Sequence, residues 1–219
     1  MTNKKDNVLF YALIGVGYLL FCTSIPSLAA GSLATVMGGD VNLYYAVLSL
    51  VTGIMYVTIL FKKMYEPMDL FSGISVGGVV EAAGVAVVLF LVINFVVSPA
   101  LVLLFPGSAE NYGSSVTDMM QTPVATFLQV AVIAPLWEEL IFRGFILKRA
   151  LRQWSSVVAV LMTAVLFGVL HMSIVQGISA AAAGIVLCAF YVRRKSVGLN
   201  ILAHSVYNGM VFVMAVCLA

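Results

Sequence analysis

A chain of 219 residues that is 63% hydrophobic and only 9% charged, with a mean hydropathy of +1.11, lacks the charge to cover a water-facing surface, which excludes a soluble globular domain. The net charge of +2 is too small to suggest a nucleic-acid partner. Cys22, Cys188 and Cys217 all fall inside apolar runs and make neither a disulfide framework nor a zinc-type spacing. What remains is an all-α, polytopic transmembrane helical bundle with the lipid bilayer as its solvent.

A spanning helix needs about 20 apolar residues, and runs of that kind lie at 8–30, 41–61, 74–104, 123–147, 155–171, 173–192 and 198–218. About seven spans are predicted. The first has a second reading as a signal peptide, because Lys4 and Lys5 precede an apolar stretch that ends in the small residues Ser27 to Ala29. A retained anchor agrees better with the charge pattern below. The third run is long enough to break at Asn94 and Pro99, which would raise the count to eight. Pro106 to Thr122, PGSAENYGSSVTDMMQT, reads as a polar loop, and the fifth run is short for a full crossing. Residues 1–120 are expected to form an N-terminal set of transmembrane helices and 121–219 a helical core that carries the chemistry. In the sixth run, Gly177 to Ile185 is read as close helix packing through small residues.

Lys4 and Lys5, Lys62 and Lys63, Lys148 with Arg149 and Arg152, and Arg193 with Arg194 and Lys195 all fall on one face of a seven-span count. The opposite loops, with Asp40, Glu110 and Asp118, contain no lysine or arginine. The positive-inside rule therefore predicts a cytoplasmic N-terminus in a cell membrane and an outward segment at 106–122. Ten of the eleven basic residues obey it, and the eleventh is Arg143, inside the fourth span.

Arg143 belongs to WEELIFRGF, Trp137 to Phe145, where two carboxylates and a guanidinium sit in an otherwise lipid-soluble run. A charge at the bilayer centre costs about 2.5–3.5 kcal/mol on insertion scales, so it persists where it pairs, faces a cavity or works. Glu139 and Arg143 share a helix face at a spacing of four and are expected to pair. Glu138 is turned about 100° from that face and is the carboxylate freer to act elsewhere. Phe167 lies one turn before His171, His204 and Asn208 are also four apart, and these are the only two histidines in the chain. Glu81, alone on the third span, reads equally as a packing or water-facing group and as a catalytic one, and is left outside the site.

EELIFR at Glu138 to Arg143, FGVLH at Phe167 to His171 and HSVYN at His204 to Asn208 resemble, in this order and complete, the three motifs of the CPBP family. These are the CAAX-prenyl-endopeptidase and bacteriocin-processing intramembrane proteases, also called the Abi family. The resemblance covers residues 138–208. It implies an intramembrane endopeptidase with its active site between the fourth, fifth and seventh spans, acting on a membrane-associated peptide or propeptide: a bacteriocin, a pheromone or a CAAX-like tail. Glu138 would activate a water, His171 would orient it, and His204 and Asn208 would stabilise the tetrahedral oxyanion. Glu139, Arg143 and Phe167 would support them. The family is often described as metalloproteases, and a divalent metal such as zinc would take Glu138, His171 and His204. No HExxH segment is present, so metal-dependent and metal-free mechanisms both stay open. The lean loops look bacterial. A non-catalytic scaffold, regulating a sensor kinase or an immunity system, is the alternative reading.

Overall fold

Residues that satisfy free backbone N–H groups stand at the start of most helices, as a chain without water around it requires. In the computed structural model, which describes residues 6–64, 66–67 and 70–218, the side chains of Asn7, Asp40, Ser75, Ser155 and Ser173 accept hydrogen bonds from the first turns of five helices. Eight helices among the described residues result. They are α1 (Val8–Met37), α2 (Val41–Lys63), α3 (Val76–Leu104), α4 (Pro106–Met119), α5 (residues 123–150), α6 (Ser156–Val169), α7 (Ile174–Arg194) and α8 (Val197–Leu218).

Five of them, α1, α2, α3, α7 and α8, are long and apolar enough to cross a membrane. The chain is thus a multi-pass helical membrane protein. Helix α5 has the length to span but carries the charged motif. Helix α6 has only 14 residues, about 21 Å at 1.5 Å per residue, against about 30 Å of hydrocarbon. The seven apolar runs and the seven apolar helices coincide, and two details differ. The third run does not break: Asn94 donates to the Phe90 carbonyl and α3 continues through Pro99. The segment read as a polar loop is α4, a polar helix with no buried residue, opened by Pro106 and carried by hydroxyl-to-carbonyl bonds from Ser114, Ser115 and Thr117.

Three prolines lie inside spans, and each follows a π-helical segment: Leu19–Ser24 before Pro26, Ile93–Val97 before Pro99, and Leu128–Ile133 before Pro135. A proline removes one N–H and clashes with a carbonyl of the preceding turn, and widening that turn relieves both. A fourth π segment, Glu139–Leu147, has no proline after it and coincides with the EELIFR motif.

One end of the bundle gathers the basic residues. Glu66, 6% exposed, is bonded by Arg149 and Arg152 and lies 3.3 Å from Lys148 Nζ, while Arg149 Nε donates to Asp6 at 2.8 Å. Glu81, read from the sequence as standing apart, is a correction: it pairs with Arg193 at 3.1 Å and with Arg194, both at the end of α7. Lys4 and Lys5 lie outside the described residues. Small residues let α6 and α7 touch as expected: a Cβ on Gly168 would stand 2.5 Å from the Gly177 carbonyl, and one on Gly184 would stand 3.3 Å from Ala164 Cα.

Candidate active site

The two carboxylates of α5 are adjacent in sequence and differ in environment. Glu139 is fully buried and accepts from Arg143 Nη1 at 2.7 Å, from His204 Nδ1 at 2.8 Å and from Asn200 Nδ2 at 3.3 Å. Three donors hold it. Arg143, also fully buried, donates a second bond to the Gly184 carbonyl at 3.3 Å and lies over the Phe167 ring at 4.8 Å. The expected pair is present, and it ties α5, α6, α7 and α8 together.

Glu138 is 6% exposed and accepts one bond, from the Tyr18 hydroxyl at 2.7 Å. His204 Nε2 lies 3.7 Å from its other oxygen, beyond a hydrogen bond but within reach of a small side-chain rotation. Glu138 is therefore less occupied than Glu139, although it is not unpartnered as the sequence suggests.

Hydrogen-bond chemistry fixes the tautomers of both histidines. The Glu139 carboxylate, held against Arg143, can only accept, so His204 carries a hydrogen on Nδ1. His171 Nδ1 lies 2.8 Å from the Phe167 carbonyl, which also only accepts. Each ring is anchored through Nδ1 and keeps Nε2 for other work. Phe167 meets both rings edge-on, with centroids 4.8 Å from His171 and 6.2 Å from His204. Asn208 donates to the Val130 carbonyl of α5 at 2.7 Å and keeps one N–H free.

A cavity of about 450 Å³ adjoins Glu138 and His171, and its lining includes Tyr18, Tyr45, Gln129 and Gln176. The volume lies in the range of roughly 300–1,000 Å³ found for small-molecule sites. His204 reaches this cavity through Glu138, and Asn208 meets its wall at Val130. Sequence depth alone puts His171 near the far surface. The short α6 stops midway, however, and brings His171 to the same cavity as Glu138.

The residues that line and support this cavity come from more helices than the fourth, fifth and seventh spans. Tyr18 comes from α1, Tyr45 from α2 and Gln176 from α7. Asn200 also carried a readable signal, since Asn200, His204 and Asn208 fall at steps of four on α8. Tyr18 and Gln129 carried none, because single tyrosines and glutamines occur throughout such spans.

Glu138, His171 and His204 do not converge as a metal site. Among the described residues no group of three or more His, Cys, Asp or Glu side chains is placed to hold an ion. Nδ1 of each histidine is held by an acceptor and each Nε2 stays open to a ligand, but in this arrangement the three side chains are not gathered around one point as a three-ligand zinc centre requires.

Residues 120–210 match the family described as type II CAAX prenyl endopeptidase Rce1-like. Among curated proteins, the one named "Putative membrane peptidase YdiL", from Bacillus subtilis (strain 168), is 26% identical over 108 residues. That stretch is 49% of this chain and 44% of the relative, so less than half of the relative's length is spanned. No solved structure matches.

Proposed function

Residues 120–210 match the type II CAAX prenyl endopeptidase Rce1-like family, and from that premise we propose that the chain is an intramembrane endopeptidase that hydrolyses a membrane-associated peptide or propeptide. The observation that carries this reading is the sharing of one cavity by a lightly held carboxylate, Glu138, and an imidazole with a free Nε2, His171. A water between them gives its proton to Glu138 while its oxygen attacks the peptide carbonyl carbon. The C–O bond forms, the carbonyl pair moves to oxygen, and the oxyanion is met by the free N–H of Asn208 and by His204. His204 donates there only when Nε2 carries a hydrogen as well as Nδ1. Glu138 then passes its proton to the leaving nitrogen as the C–N bond breaks. Tyr18 holds the base in its rotamer throughout.

The Arg143–Glu139 pair is assigned to orientation. Arg143 fixes Glu139, and Glu139 fixes His204. Purified protein in nanodiscs, incubated with candidate propeptides and followed by mass spectrometry, tests the proposal. Cleavage at a defined bond, absent in Glu138→Gln at equal protein abundance, is expected. Retained cleavage in Glu138→Gln would remove the base assignment. Complete chelator sensitivity reversed by zinc would move Glu138, His171 and His204 to a metal site. An unaltered cellular phenotype in Glu138→Gln would favour a scaffold.

A further inference from the structure

The cavity has a direction. Counting from the helix ends that carry the basic clusters at 1.5 Å per residue, Tyr18 lies about 15 Å along α1 and Ser49 about 21 Å along α2. By the same count Glu138 lies about 18 Å and Gln129 about 32 Å along α5. All of them line the cavity, which therefore occupies the half of the bundle remote from the basic end. Below it, Leu140, Ile141, Phe142, Arg143 and Phe145 are all 3% exposed or less, and this layer separates Glu138 from a second cavity beside Lys148, Arg152 and Lys195.

Helix α6 packs on Gly15 of α1 through Leu166 and Leu170 and does not continue into the remote half. Helix α6 stops about 21 Å from its start, and the cavity edge there is made by Leu170, His171 and Met172, the last of them 83% exposed. Thr23 and Ser24 of α1 line the same cavity, with Ser24 exposed. Met119, past which α4 ends, also lines the cavity, and α4 is tied to the start of α7, where Ser108 Oγ accepts from the Val175 N–H. Within this half Gln129, 6% exposed, presents an Oε1 with no hydrogen-bond partner, an acceptor suited to a peptide N–H.

We infer that substrate reaches Glu138 from the membrane face opposite the basic end, past the end of the truncated α6. With every described lysine and arginine except Arg143 at the other end, that face is the extracytoplasmic one. Resting on the protease reading above, the substrate class is then a membrane-inserted polypeptide whose scissile bond lies in the outer half of the bilayer. A tail offered from the cytoplasm meets the closed layer at Leu140 to Phe145 instead.

Access is tested separately from chemistry. In a background carrying Cys22→Ala, Cys188→Ala and Cys217→Ser, single substitutions Ser24→Cys, Met172→Cys and Lys195→Cys are exposed to a membrane-impermeant maleimide, in right-side-out and in inverted vesicles. Ser24→Cys and Met172→Cys are expected to label only in right-side-out vesicles, and Lys195→Cys only in inverted ones. Labelling of both cavity positions from the inverted side, or of neither until detergent is added, overturns the inference. Nanodiscs expose both faces, so a failure of cleavage there would count against the protease and leave the labelling result standing. A maleimide adduct at Ser24→Cys should further abolish nanodisc cleavage while one at Lys195→Cys leaves it intact. Unimpaired cleavage by the Ser24 adduct overturns the route.

Discussion

At the basic end, Glu66 and Glu81 are each surrounded by two or three lysine and arginine side chains, whereas halfway along α5 Glu138 has one tyrosine hydroxyl and the edge of one imidazole. Glu139, its neighbour, resembles the first kind: held by three donors, fully buried and bonded to a guanidinium. Carboxylates that fasten helices are covered by donors on all sides. The carboxylate proposed to do chemistry keeps an oxygen uncommitted and faces a cavity. The distinction lies in how many partners each has, because burial alone does not separate Glu66 from Glu138: both are 6% exposed.

Substitution breaks this comparison in a definite order. Glu138→Gln keeps the shape and the tyrosine contact and removes the base, so turnover should fall by about 10²–10⁴-fold, with thermal unfolding in detergent little changed. Matched losses of activity and melting temperature would place Glu138 with the fasteners. Glu139→Gln should act through the fold, since a buried Arg143 left without its counter-charge costs about 3–5 kcal/mol, read as a large drop in melting temperature. Arg143→Lys, which keeps charge but loses the planar fork, should leave part of the activity and part of the stability.

A smaller effect is expected from Tyr18→Phe. It deletes one hydrogen bond to a charged group, of order 1.5–3 kcal/mol, and should lower turnover while leaving the fold intact. An unchanged rate would mean that Glu138 needs no such positioning. The smallest effect belongs to Glu66→Gln. Its partners Arg152, Lys148 and Arg149 are 54%, 26% and 18% exposed on their side chains, so the melting temperature should fall less than in Glu139→Gln, and cleavage should be unaffected.

The spans were legible because a run of apolar residues long enough to cross a bilayer has few other uses, and all seven were placed within a few residues of the observed helices at most ends. Helix α4 was not, because its proline, glycines, serines and asparagine carry turn chemistry, and no apolar stripe marks it as a helix. Within the site, Glu139–Arg143 could be read from a spacing of four on one helix. The partners of Glu138 and Glu81 could not: Tyr18 is 120 residues from Glu138 and Arg194 is 113 from Glu81, and nothing local records such meetings. The reach of His171 depended on where α6 stops, a matter of a few residues that hydropathy does not resolve.

The π segment at Leu128–Ile133 sets the azimuth of everything after it on α5. A π turn bonds i to i+5 instead of i+4, which amounts to one residue of slack, or about 100° of helical phase. Gln129 and Glu138 both line the cavity, although nine residues of uninterrupted α-helix would set them about 180° apart. The slack works as a ratchet tooth: deleting one residue between 128 and 133 would swing Glu138, Glu139 and Arg143 together toward a different neighbour, while the hydropathy profile of the chain would hardly change.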